Sequence, residues 1–218
     1  QGRSPATGLP DLHVVEVEPS GKSRTFAGFS PNFIAVGDRH VFGLERQELI
    51  DIDSGAIVAR GMDEANIIRA GVIAGSRLFW GANVDGSISF RDSSDGSLQL
   101  TLYVFPDNRY FAVAPGGRYD TNLSADTSLV RWGVPDAPWQ SLAAQTFMRD
   151  YYEPGLYRRL LDCRANDTCA DAFKALPSIV SLNRVLPETR ITGVRAGRDA
   201  SEAVVTVEVR EGVDANAP

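Results

Sequence analysis

The chain lacks an excess of positive charge. Its 218 residues carry 28 acidic and 22 basic side chains, a formal net charge of -6, and only two of the basic residues are lysines, Lys22 and Lys174. No run of like charges is longer than Arg158-Arg159. Binding to a nucleic-acid backbone needs clustered Lys and Arg, so the sequence argues against nucleic acid as a partner.

Long apolar segments are also lacking. No stretch approaches the roughly 20 apolar residues that a membrane-spanning helix needs, so we expect no membrane span. Residues Gln1–Pro10 do not have the basic start and apolar centre of a signal peptide. A targeting segment can lie upstream or be removed, however, and this absence alone does not fix the compartment.

Cysteine and histidine are both scarce, with two of each. Cys163 and Cys169 have a spacing that closes a small disulfide loop in an oxidising compartment, and the alternative is a pair of ordinary thiols. No histidine lies nearby in the sequence to complete a zinc shell. The pair is therefore a candidate disulfide, and we expect no metal site and no cofactor.

What the chain does have is an imperfect internal sequence repeat, which we call the echo. Gly37–Gly43, with the sequence GDRHVFG, is answered 38 residues later by Gly75–Gly81, with the sequence GSRLFWG. Asp51–Gly55 is answered by Phe90–Gly96, now 41 residues apart through a small insertion. Periods near 40 residues are typical of β-propeller blades, which are four-stranded sheets that are stable only when stacked on neighbours.

Short strand-like runs surround this echo. Leu12–Val17 alternates as a first strand that ends at the turn Pro19–Lys22, which we interpret as the tail of a first blade. Two fuller units follow at Phe33–Arg60 and Val72–Leu102, and Tyr103–Ala114 gives a further strand pair. Fewer than three full blades fit, whereas closed propellers have four to eight.

Beyond Trp132 the apolar period changes to about 3.6 residues. One helical stripe predicts a helix of about three turns that begins near Pro138; its members are Trp139, Leu142, Ala143, Phe147 and Tyr151.

Further elements follow this predicted helix. After Pro154-Gly155 a second apolar face begins at Leu156, and Asp167 or Thr168 is expected to cap a third short helix that ends near Leu176-Pro177. Arg190–Val194 and Ala203–Val209 then alternate as strands. Two strands do not form a stable sheet alone, so we expect them to open a larger unit.

Two motifs carry a resemblance to a known family. Pro115–Asp120, with the sequence PGGRYD, and Tyr151–Leu156, with the sequence YYEPGL, resemble the junction in bacterial WD-repeat propeller proteins that are fused to caspase-like cysteine peptidases. The resemblance covers roughly residues 33–210. It implies a mainly β fold in which partial WD-repeat-like propeller blades at 1–122 lead through a short α-helical connector at 123–185 to the first strands of an immunoglobulin-like β-sandwich at 186–218.

The catalytic residues of such a peptidase are not expected in this chain. A cysteine nucleophile needs a histidine base within hydrogen-bonding reach. His13 and His40 lack the family's His-Gly context, and neither Cys163 nor Cys169 has the setting of its nucleophile. We therefore assign no catalytic, cofactor-binding or metal-binding residue.

Other motifs have simpler interpretations as turns. The Asp-rich segments Asp51–Asp53 and Asp92–Gly96 lack the distant bidentate Glu of a calcium loop. Pro115–Gly117 is not followed by the helix of a phosphate-binding loop.

Three functional hypotheses remain. The first is a non-catalytic scaffold segment that recruits a protein or peptide partner, or the remainder of its own polypeptide, beside a peptidase domain. The second is a processed fragment of a cysteine peptidase that contributes to the active form. The third is a secreted binding module. The resemblance points to a bacterial protein, in the cytoplasm or, if Cys163 and Cys169 are bridged, in the periplasm or outside the cell.

Overall fold

The structure is a computed structural model, and it describes residues 12–15, 23–26, 33–61, 66–124, 129–166, 168–182, 184–185, 187–199 and 201–212. It is mainly β, with several antiparallel sheets and short helices. The chain divides into two compact units, Gln1–Leu123 with Glu153–Lys174, and Ser124–Tyr152 with Ala175–Pro218.

The first unit begins with a strand pair, β1 (Leu12–Val15) and β2 (Ser23–Phe26), which run antiparallel. The alternating run expected from Leu12 forms β1. The expected turn Pro19–Lys22 lies outside the described residues.

A four-stranded antiparallel sheet follows, which we call the first sheet. Its strands pair in chain order: β3 (Phe33–Val36), β4 (His40–Gly43), β5 (Glu48–Asp51) and β6 (Ile57–Ala59). This meander is what short β-rich runs separated by Gly-Asp and Asp-Ser-Gly turns are expected to form.

The second sheet is a six-stranded antiparallel meander, also in chain order. Its strands are β7 (Ile67–Val72), β8 (Leu78–Asn83), β9 (Ile88–Asp92), β10 (Leu98–Phe105), β11 (Arg109–Val113) and β12 (Tyr119–Thr121). The eight-residue β10 is long enough to pair with β9 on one side and β11 on the other.

The two sheets share a core. Phe42 of the first sheet and Phe79 of the second are fully buried, and their ring centroids lie 5.5 Å apart. Val36, Leu49 and Ile67 complete this cluster. We call the side of the second sheet that carries Phe79 its inner face, because it packs against the first sheet.

Helices cover the opposite, outer face of the second sheet. Helix α2 (Leu156–Ala165) lays Leu156, Leu160 and Cys163 onto Leu78, Phe90, Leu100 and Ala112. Residues 156, 160 and 163 are spaced by four and three, so they form one side of a helix. Helix α3 (Cys169–Ala172) is a single turn. We call the segment Glu153–Lys174, which contains both helices, the helical cap.

The second unit contains two hairpins. In the first, β13 (Arg131–Val134) pairs with β14 (Ala137–Ala143), and a 3-10 turn at Ala144–Phe147 leads into α1 (Met148–Tyr151). In the second, β15 (Glu188–Ala196) pairs with β16 (Ala203–Arg210), as their alternation predicts. A further 3-10 turn lies at Ile179–Ser181.

The helix predicted from Pro138 is wrong in its first half. Residues 137–143 form strand β14, and Trp139, placed on the apolar stripe, is 99% exposed. The physical reason is the preceding strand, since β13 pairs with Ala137 and with residues 141–143 across an irregularity in the ladder. Only Phe147 and Tyr151 of the stripe pack as expected, and both contact Trp132 edge-on.

The third helix differs in detail from the prediction. It ends at Ala172 and not near Leu176-Pro177. Thr168 is at its N-cap position but its side chain makes no capping hydrogen bond, and Asp167 lies outside the described residues. Within the described ranges no helix is long and apolar enough to cross a membrane.

Candidate functional site

The echoed segments form matching turns in the two sheets. In the first sheet the N–H of Ile52 donates to the carbonyl of Arg39 at 2.8 Å, and in the second the N–H of Ser93 donates to the carbonyl of Arg77 at 2.8 Å. These bonds tie the β3–β4 and β5–β6 turns together in one sheet, and the β7–β8 and β9–β10 turns in the other. Equivalent residues therefore make equivalent backbone contacts.

Strands β5 and β9 both end on an aspartate, and the two aspartates have the same role in the turn that follows. The Oδ1 atom of Asp51 accepts the N–H of Ser54 at 2.7 Å and also its hydroxyl. The Oδ1 atom of Asp92 accepts the N–H of Ser94 at 2.8 Å and also its hydroxyl. Aspartates that bond the backbone a few residues on are turn-forming residues, so these acidic segments are structural turns.

The Asp51 carboxylate is held in its charged form. The N–H and hydroxyl of Ser54 lower its pKa from 3.8 to about 2, and the Arg39 guanidinium, with Nε 2.6 Å from Oδ2, adds to the effect. The Nε2 atom of His40 lies 4.0 Å from the same oxygen. His40 is thus a neighbour of a turn aspartate.

This pKa shift predicts a pH dependence of stability. Because the pKa is lower in the folded state, ionised Asp51 stabilises the fold above its ordinary pKa of 3.8, and the contribution is lost as the pH falls from about 4 to about 2. The difference in unfolding free energy between the wild type and Asp51→Asn should therefore be constant above about pH 5 and shrink below it. Urea titrations at stepped pH measure this difference. A gap that persists unchanged at pH 2 would contradict the assignment, and Ser54→Ala should reduce the pH dependence without abolishing it.

Asp92 has a second set of partners that Asp51 lacks. Its side chain is 3% exposed and faces the helical cap, where Nη1 of Arg164 lies 2.9 Å from Oδ2. Arg164 also donates to the side-chain oxygen of Gln99, and Nη2 of Arg77 lies 3.9 Å from Oδ1 of Asp92. The aspartate therefore joins the β9–β10 turn to the last turn of α2.

The two motifs behind the family resemblance meet at the start of the cap. The N–H of Glu153 donates to the carbonyl of Tyr119 at 2.8 Å, and the N–H of Gly155 donates to Oδ2 of Asp120 at 3.0 Å. Gly155 has a left-handed backbone with φ of 72°, which glycine adopts without strain. The buried carboxylate of Asp120 thus lies beside the start of α2, where negative charge is favoured.

The far end of the cap is held by aromatic and covalent contacts. The Phe173 ring has the guanidinium carbons of Arg118 and Arg159 each 4.9 Å from its centroid. Arg118 donates to the carbonyl of Lys174. Cys163 and Cys169 are joined as a disulfide, so neither carries a thiol.

A cleft of about 600 Å³ lies beside the matching turns. Its walls come from both sheets and combine small residues such as Gly37 and Ala74 with one acidic and one basic side chain, Asp38 and Arg77. Three aliphatic side chains also line it: Val72, Ile73 and Leu78. Ala165, the last residue of α2, completes one wall. An extended peptide, which offers both backbone polar groups and apolar side chains, fits such a mixed lining.

The two candidate disulfide cysteines, Cys163 and Cys169, lie in the helical cap and are bonded to each other. Among the described residues, no cluster of three or more His, Cys, Asp or Glu side chains could hold a metal ion. The His13 side chain lies outside the described part. Sequence reasoning missed the cleft and the Asp92–Arg164 pair, and only the echo of Asp51 by Asp92 signalled one of the two partners.

No protein-family model matches the chain, and no curated protein matches it in sequence.

Proposed function

We propose that this chain is a non-catalytic recognition segment that binds a peptide or an extended part of a protein in the cleft beside its matching turns. The cleft carries the proposal, because it is built by equivalent turns of two stacked sheets and its lining combines small, aliphatic and charged residues. Its side chains offer hydrogen bonds and one charge of each sign, which suits binding and orientation of a peptide.

We further propose that the two stacked sheets are blades of a partial WD-repeat-type propeller beside a caspase-like peptidase domain. The shared Phe42–Phe79 core and the equivalent hydrogen bonds of the two turn pairs support this interpretation. In such an assembly the segment would recruit substrate or partner. The six strands of the second sheet exceed the four of an ordinary blade, and the helical cap lies where the next blade would stack.

The bonded cysteines support a non-catalytic role and favour one compartment. The nucleophile of a cysteine peptidase is a thiolate, which a disulfide does not supply. Disulfides form and persist in oxidising compartments such as the periplasm or the outside of the cell. The Cys163–Cys169 bond therefore favours a binding segment that works outside the cytoplasm.

A steric block of the cleft tests the binding proposal. We expect a phage library of random 12-residue peptides, selected on the oxidised chain, to yield a peptide that Ala74→Arg binds at least about tenfold more weakly, because the new side chain occupies the cleft. Fluorescence anisotropy with the fluorescein-labelled peptide measures the affinity.

The matched control places the same side chain elsewhere. Ala56 is exposed on the β5–β6 turn and is not part of the cleft, so Ala56→Arg should bind the peptide as the wild type does. Equal affinity in all three proteins would place binding outside the cleft, and failure to select any peptide would count against the proposal. Hydrolysis of the peptide by the purified chain would overturn the non-catalytic role.

A further inference from the structure

The disulfide lies close to the cleft along the chain. Cys163 is in the last turn of α2, and Ala165, two residues later, forms part of the cleft wall. Cys163 is buried in the core under the helix, whereas Cys169 is partly exposed. The bond therefore connects a buried anchor to the start of the single-turn helix α3.

The closed loop also caps helix α2. The last carbonyls of a helix have no partners within it, and here the N–H of Thr168 donates to the carbonyl of Cys163 at 2.9 Å. Thr168 directly precedes Cys169, so the disulfide holds this donor in place. A helix of one turn is not stable by itself in water, and α3 therefore depends on the bond and on the contacts of Phe173.

The last turn of α2 is also linked to the cleft wall by the ion pair between Arg164 and the buried carboxylate of Asp92. Arg164 bonds Oδ2 of Asp92, and Oδ1 of the same carboxylate fixes the turn that contains Ser93. Ser93 and Ala165 both line the cleft. The end of α2 therefore forms one point of the cleft wall directly, at Ala165, and contacts the turn of a second point, Ser93, through Asp92.

We propose that the Cys163–Cys169 disulfide is a redox-sensitive clamp that keeps the cleft in its binding form; this rests on the proposed function of the cleft. A dithiol reductant attacks Sγ of the more accessible Cys169, the disulfide bond breaks, and Cys163 leaves as a thiolate that takes up a proton. The second thiol of the reductant then releases Cys169 as a thiol and closes its own disulfide. Two electrons and two protons pass to the protein.

Hydrogen exchange with mass spectrometry tests the clamp on the full chain. Treatment with dithiothreitol should speed exchange at residues 163–174 by at least about tenfold, because local opening no longer has to work against a closed loop. Exchange at residues 92–96 should also rise, while strand β5 (48–51) of the first sheet, which contributes no residue to the cap core or the cleft lining, serves as the internal reference. Cys163→Ala with Cys169→Ala should exchange as the reduced wild type does and should not respond to the reductant.

Binding of the selected peptide gives the second readout. Its affinity should be at least about fivefold lower for the reduced protein, since only part of the population keeps the binding form. Unchanged exchange on reduction would overturn the clamp, and so would faster exchange with unchanged affinity. If no peptide binds either redox form, the proposed function fails, and exchange at residues 92–96 still decides whether the clamp reaches the cleft.

Discussion

Phe79→Ala is expected to destabilise the protein by about 3–5 kcal/mol, the usual result of removing a fully buried aromatic ring. Phe79 has no exposed surface and packs on Phe42 between the first and second sheets. Alanine would leave a cavity that two hydrogen-bonded sheets cannot close by small movements. Urea unfolding, followed by circular dichroism, measures the change in free energy.

The control is an apolar residue of the same unit that lies outside the core. Val84 is 66% exposed in the turn after β8, and Val84→Ala should change the stability by no more than about 0.5 kcal/mol. A similarly small effect of Phe79→Ala would contradict the shared core, and with it the stacking of the two sheets on which the cleft depends.

The strands were predictable because local signals and tertiary environment agree. In the first and second sheets, each short apolar run is bounded by a Gly or Asp turn, and successive residues such as Val41 and Phe42 point to opposite faces. The echo also predicted which aspartates would be equivalent. Both Asp51 and Asp92 bond a nearby serine within the turn, as their matched positions imply.

The helix predicted from Pro138 was wrong because local pattern and tertiary environment disagree there. A 3.6-residue period over about three turns is a weak signal, and the strand partner at 131–134 decides the conformation of 137–143. Helix α2 was predictable because nothing competes with it. Its apolar residues Leu156 and Leu160 meet the outer face of the second sheet, and the start of the helix is fixed by Gly155.

The candidate site has little sequence signature. Much of the cleft lining comes from turns that are far apart in sequence, such as those of Gly37 and Ser93, and these residues look like ordinary turn residues. Asp92 and Arg164 are separated by 72 positions, and Asp120 lies 35 positions from Gly155. Because these pairings arise only when α2 packs on the second sheet, they cannot be found from local pattern.

Arg164→Met should be the most damaging substitution on the helical cap, with an expected loss of about 3 kcal/mol. Methionine keeps the length and apolar contacts of the side chain but removes the partner of a carboxylate that is 3% exposed. A buried charge without a partner is strongly destabilising, and Arg77, at 3.9 Å and half-exposed, compensates only in part. Urea unfolding at pH 7 measures the loss.

A substitution on the same helix provides the control, and a double variant tests whether the loss comes from the unpaired buried charge. Arg158 is 88% exposed and pairs with exposed Asp162, so Arg158→Met should cost no more than about 0.5 kcal/mol. Asp92→Asn combined with Arg164→Met should be less destabilised than the sum of the single changes, because the neutral amide removes the buried charge while still accepting the Ser94 bonds. If the losses simply add, or if Arg164→Met costs no more than Arg158→Met, the pair does not hold α2 to the sheet. In that case the link from the disulfide to the cleft would also lose its central contact.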